Sequence, residues 1–230
     1  MNNEVIYRIL ESRMLDYTDY ADIPTRSVNE PLVPILGSAV LTASYIRDDA
    51  KEATGMQTYV RQGVLDRLEY AGEILAARSP GCMLDVRYGY RSLAVQRSRF
   101  NSVMETLSDK LNDVERIATA HRSVAVPEVA GHPAGAAVDL LILQDGEPKD
   151  FGTPMWEFTR RSYTASPEVS GTARASRWLL ADVMKQVGFA PFTGEWWHFS
   201  YGDKEWAKYY NKQDALYDQI EFTAPGATNV

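Results

Sequence analysis

EVAGHPAGAAVDLLIL, residues 128–143, joins a turn rich in glycine and alanine to a run of β-favouring apolar residues. The run reads as a strand over 135–143, and the QDGE that follows is an Asp-Gly turn signal. Two residues interrupt this pattern. His132 stands in the turn, and Asp139 stands inside the strand between Val138, Leu140 and Leu141. A carboxylate in that setting is costly to bury unless it is paired or bound to a cation.

Upstream, Val60, Val64, Leu68, Ala71 and Leu75 recur at three- and four-residue steps. They predict an amphipathic helix over 56–78, stopped by Ser79-Pro80-Gly81. CMLDVRYGY, 82–90, reads as a strand, and 93–111 returns to helical spacing through Val95, Val103, Leu107 and Leu111. Downstream, Trp178, Leu179, Val183, Met184 and Val187 predict a helix over 173–187 that ends at Gly188. FTGEWWHFSYGD, 192–203, is aromatic, bounded by glycines and strand-like. Residues 1–50, with Pro24, Pro31 and Pro34, read as an irregular wrap of loops and short elements. Helices and strands mix without a regular βαβ beat. The expectation is an α+β fold spanning 1–230 as a single domain, with a small, mostly antiparallel sheet and flanking helices. The end of the chain, 219–230, is expected to be a flexible tail.

The composition narrows the function classes. The 230 residues are 45% hydrophobic and 24% charged, which is ordinary for a folded domain. A net charge of −7 has the wrong sign for a general nucleic-acid or anionic-membrane binder. The single cysteine, Cys82, permits neither an internal disulfide nor a cysteine metal cluster, and its apolar strand marks a buried thiol. Glu and Arg break up the N-terminal apolar residues, so no signal peptide is read there, and a cytoplasmic location is expected. No apolar run reaches the ~18 residues of a membrane span. Phosphate-loop, GxGxxG, GxSxG and HExxH patterns are all missing.

Only three histidines remain to carry chemistry. His121, in the polar stretch TAHRS, reads as a surface residue. His198 lies three residues after Glu195 in GEWWHFSYGD, again a carboxylate and an imidazole among aromatics. His132, Asp139 and His198 make up the ligand set of a catalytic zinc site, with Glu195 a second carboxylate free to take a proton from water. On spacing alone, two hydrogen-bonded core histidines with Asp139 capping a turn explain the pattern equally well. In a regular strand, residues three apart face opposite ways, so a shared site requires the backbone to be irregular near Glu195. Gly194 permits that.

GHPAGAAVDL, followed some 60 residues later by Glu195-Trp-Trp-His198, resembles the HxxGxAxD and ExxH signatures of the zinc D-alanyl-D-alanine peptidases. Within them, the chain is most similar to the VanX-type dipeptidase branch. LDVRYGYRSLAVQ (84–96), DFGTPMWEF (150–158) and EWWHFSYGDKEWA (195–207) follow that branch's order, and the similarity covers roughly 58–218. The resemblance implies a hedgehog-like fold and one Zn²⁺ per chain on His132, Asp139 and His198. It also implies Glu195 as general base and Arg91 as stabiliser of the oxyanion, although by its surroundings alone Arg91 is a solvated charge at a strand end.

The implied reaction is hydrolysis of a small D-amino-acid dipeptide, D-Ala-D-Ala, with no nucleic acid, membrane or obligate protein partner. The alternatives are a D,D- or L,D-carboxypeptidase acting on larger cell-wall peptides and a non-catalytic zinc-binding module of the same fold. Ala130 replaces the family's usual Ser, Ser92 its usual Pro, and Trp156 an Asp expected to meet the substrate ammonium. Trp156, the adjacent Glu157 and Trp197 are the candidate substrate-binding residues.

Overall fold

The computed structural model describes residues 2–44, 47–108 and 110–227. Helix α1 (Asn3–Glu11) opens the chain. It is followed by β1 (Leu32–Pro34), β2 (Leu41–Thr42), α2 (Asp48–Thr54), β3 (Tyr59–Arg61), α3 (Gln62–Arg78), β4 (Cys82–Tyr88), α4 (Leu93–Thr106) and α5 (Asp113–His121). Then come β5 (Ala137–Gln144), β6 (Glu147–Pro148), α6 (Gly171–Gln186), β7 (Ala190–Pro191), β8 (His198–Ser200) and α7 (Lys204–Tyr209). The main sheet has the order β2-β4-β5-β8-β7, with β6 paired to β5. Only the β2–β4 contact is parallel, so the sheet is mostly antiparallel, and the fold is a single α+β domain.

The predicted helix over 56–78 starts later, at Gln62. Val60 belongs to β3, which pairs with β1 through Val33. Val64, Leu68, Ala71 and Leu75 form the buried stripe of α3. Each large apolar side chain on that stripe contributes roughly 1.5–3 kcal/mol by leaving water. The helix predicted over 93–111 ends at Thr106, and a separate helix, α5, follows. That helix has a capping box, in which Asn112 and Glu115 each satisfy the other's backbone N–H. On α6, Trp178 is exposed and lies off the core stripe, whereas Leu180, Val183 and Met184 are buried.

β5 lies at the centre of the sheet, and Ala137–Leu143 are all buried. Val138, Leu140 and Ile142 alternate into the main core with Leu84 and Val86 of β4. Asp139 therefore projects to the opposite face. There it is opposite Tyr88 on one side and His198 on the other. The register between β4 and β5 shifts between Val86 and Tyr88, an irregularity that re-aims Tyr88 toward Asp139.

The segment 219–227, expected to be flexible, is packed. Gln219 Nε2 donates to the carbonyls of Pro127 and Ala130, and the Ile220 N–H donates to that of Pro133. Phe222 lies against Tyr59 and Tyr90. Residues 228–230 of that expected tail lie outside the described residues. No helix among the described residues is long and apolar enough to cross a membrane.

Candidate metal centre

His132 opens a short turn, 132–134, that Gly135 closes at φ +67°, a conformation that favours glycine. Its Nδ1 donates to the Gly89 carbonyl at 2.7 Å, which leaves the Nε2 lone pair directed at Asp139 Oδ1, 3.5 Å away. His198 Nδ1 is 2.9 Å from the same oxygen. The three donor atoms lie within 4.8 Å of one another, and Asp139 and His132 are buried. Two imidazoles and a carboxylate around a tetrahedral zinc stand about 3.3 Å apart at bond lengths near 2.05 Å. The observed 3.5 and 2.9 Å spacings straddle that figure, so the residues fit such an ion.

The electrostatics point the same way. Burial and the nearby Arg91 lower His132 to about 4, so its ring is neutral, as a ligand must be. Against the effect of burial, the neighbouring imidazoles hold Asp139 well below the usual carboxylate range. His198, despite burial, is raised to about 9 by its hydrogen bond to Asp139. A protonated His198 thus gives Asp139 a positive partner, and a cation entering the site displaces that proton.

Glu195 and His198 reach one cleft because the chain turns between them. The His198 N–H donates to the Glu195 carbonyl at 3.2 Å, so the irregularity spans the whole of 192–197. Glu195 lines the cleft with the three candidate ligands and Arg91. Burial raises Glu195 to about 8, a poise that a nearby cation would lower.

Arg91 is buried rather than solvated. Its Nε donates to Tyr88 Oη at 3.1 Å and its Nη1 to Gln96 Oε1 at 2.7 Å. Gln96 is in turn fixed through its Nε2 to the Ala125 carbonyl. Ser92, in the place of the family's proline, caps α4 by accepting from the Val95 N–H. Gln96 was not legible as a site residue, because nothing in its sequence surroundings separates it from a surface glutamine.

Of the three candidate substrate-binding residues, only Trp156 lines the cleft. Its Nε1 donates to Asp139 Oδ2 at 2.9 Å, and the Arg47 guanidinium stacks over its ring. Its φ of +63° is rare for so bulky a residue. Arg177, fully buried on α6, holds the surrounding loop by donating to the carbonyls of Phe151, Arg161 and Tyr163. Glu157 points elsewhere: its side chain accepts from Thr159 and its carbonyl from Ser162. Trp197 is wholly enclosed in the main core beside Trp196, because the turn directs both indoles inward. Phe158 and Phe192 add further aromatic surface to the cleft.

His121, read as a surface residue, is buried in a second small core with Tyr20, Phe100 and Val126. It lines the same cleft. Its Nδ1 accepts from the Val126 N–H at 3.1 Å, and its Nε2 is 2.9 Å from Tyr20 Oη.

Residues 52–217 match the D-Ala-D-Ala dipeptidase family, peptidase family M15. The chain belongs to this family. A D-alanyl-D-alanine dipeptidase of Synechocystis sp. (strain ATCC 27184 / PCC 6803 / Kazusa) is 30% identical over 233 residues, covering 88% of this chain and 94% of the relative. One from Enterococcus faecium is 29% identical over 87 residues, covering 37% of this chain and 43% of the relative. Among solved structures, the LdcB LD-carboxypeptidase aligns with a TM-score of 0.48 at 19% identity, covering 82% of this chain and 77% of the other. As a member of the dipeptidase family, the chain is a metallopeptidase.

Proposed function

We propose that the chain hydrolyses the peptide bond of D-Ala-D-Ala, with one Zn²⁺ held by His132, Asp139 and His198. The observation that carries this reading is the clustering of those three donors in a cleft that Glu195 and Arg91 also line, within a chain of the dipeptidase family. A bound zinc ion supplies Lewis-acid polarisation of the carbonyl and makes water acidic enough to attack near neutral pH.

The chain's own groups do the rest. Glu195 accepts the proton of the attacking water and returns it to the leaving amine nitrogen. Arg91, always charged and clamped by Tyr88 and Gln96, donates to the oxygen on which negative charge develops. Trp156 and the Gly89 carbonyl would orient Asp139 and His132 as ligands through hydrogen bonds to Asp139 Oδ2 and His132 Nδ1, the atoms not shared within the cluster. The buried stretch Ala137–Leu143 of β5 beneath excludes water from the back of the site.

The test is metal analysis of the purified protein together with a hydrolysis panel, run with and without chelator. The panel comprises D-Ala-D-Ala, L-Ala-D-Ala and a longer peptide ending in D-Ala-D-Ala. The expected result is about one zinc per chain and chelator-sensitive cleavage of D-Ala-D-Ala. Cleavage confined to the longer peptide would replace this reading with a carboxypeptidase.

A further inference from the structure

Three carboxylates line the cleft: Asp139, Glu195 and Glu205. The first has two imidazoles and an indole around it, and the second is assigned above to proton transfer. Glu205, on α7, accepts no hydrogen bond and forms no ion pair among the described residues, although it is half-buried. Glu157, the carboxylate nearest Trp156 in sequence, is turned away onto Thr159. Trp156 presents a donor, which it spends on Asp139. We propose that Glu205 receives the free ammonium group of the substrate and so selects dipeptides with an unblocked amino end. This assignment rests on the dipeptidase reading and names a determinant of its specificity.

The surroundings of Glu205 suit a cation. Tyr20 and His121 line the cleft with it. A backbone N–H can only donate, so the Val126 N–H fixes His121 Nδ1 as an acceptor. The neutral ring therefore carries its proton on Nε2 and donates it to Tyr20 Oη. The hydroxyl keeps one lone pair for a further donor, such as an ammonium hydrogen. A half-buried carboxylate without a direct hydrogen-bonded partner, raised to about 7 chiefly by burial and against the lowering effect of His198, gains from pairing directly with an ammonium. A substrate with an acylated amine would leave that carboxylate facing a neutral group and still unpaired.

The experiment compares D-Ala-D-Ala with N-acetyl-D-Ala-D-Ala and D-lactyl-D-Ala, which lack the ammonium, in the wild-type, Glu205→Gln and Glu205→Asp proteins. The expected result is that Glu205→Gln lowers kcat/KM for D-Ala-D-Ala by about 10- to 100-fold, the range for losing one charge-assisted hydrogen bond. The two substrates without an ammonium should change less than threefold, and Glu205→Asp should recover part of the loss. Equal losses on all three substrates, or no loss on any, would overturn the assignment.

Calorimetric binding in the metal-loaded Glu195→Gln protein, with and without Glu205→Gln, reads the same contrast without turnover. A preference for the free ammonium that disappears with Glu205→Gln supports the assignment even if the wild-type chain hydrolyses nothing, in which case the hydrolase reading alone fails. Indifference to the ammonium beside normal D-Ala-D-Ala turnover overturns the assignment alone.

Discussion

The indole nitrogen of Trp156 donates to the outer oxygen of Asp139 at 2.9 Å, while the inner oxygen faces His132 and His198. The two oxygens of one carboxylate thus do separate jobs, one turned to the imidazoles and one anchored. Trp156→Phe keeps the aromatic surface and removes the donor. Metal affinity is expected to fall by about 10- to 100-fold, as for other groups that orient a ligand from behind. Competition against a calibrated chelator measures it, and unchanged affinity would show the anchor to be idle.

Glu195 and the three candidate ligands separate by metal content. Glu195→Gln should lower kcat by about 10²–10⁴-fold while zinc stays near one per chain. His132→Ala and Asp139→Asn should lose both the metal and some stability, because binding is linked to folding. Elemental analysis of each purified variant decides it. Loss of zinc from Glu195→Gln would reverse the roles.

Arg91 is held at two points, by Tyr88 Oη and Gln96 Oε1. A lysine has no planar fork with which to keep both anchors and still reach a substrate oxygen. Arg91→Lys is therefore expected to lower kcat by about 10²–10³-fold. Gln96→Leu, which removes one anchor, should have a smaller effect in the same direction. Steady-state kinetics with metal content checked in parallel would read both, and full activity of Arg91→Lys would remove Arg91 from the reaction.

His121 adds a pH dependence unconnected with catalysis. Burial lowers its pKa to about 4, against about 6.5 in an unfolded chain. Between those values the unfolded state binds the extra proton, so stability is fully present above pH 6.5 and is lost as pH falls toward 4. The loss is on the order of 3 kcal/mol for this residue. Denaturant unfolding of chelated protein at pH 7.5 and 5.0 should show a smaller acid loss in His121→Gln than in the parent. Equal pH slopes would exclude the effect. The comparison isolates His121, since the other titrating groups are common to both proteins.

How far the sequence revealed this molecule differs from residue to residue. Asp139 was legible because a charge inside an apolar strand needs a partner, whereas the face it occupies emerges only from the register with β4 and β8. The stripe of α3 was equally plain, but its start was not: Val60 continues the helical spacing while belonging to a strand. Helix α5 did have a readable signal, the Asn112 and Glu115 capping box, obscured by the regular spacing running through Leu107 and Leu111. His121 was misread because its neighbours in sequence are polar, whereas its neighbours in space include Tyr20 from near the N-terminus. Trp197 and Glu157 depended on which way an irregular segment turns, and local pattern does not encode that.

Asp139 lies directly between Tyr88 and His198 on three adjoining strands, with the Trp197 carbonyl accepting from the Leu140 N–H just beyond. Two of the three candidate ligands are therefore spaced by the backbone ladder and not by loops. An ion entering there meets a receptor whose dimensions already exist, so little ordering entropy is lost on capture. Stripping the ion out should likewise leave amide-exchange protection across these strands nearly intact, with any loosening confined to the turn that carries His132.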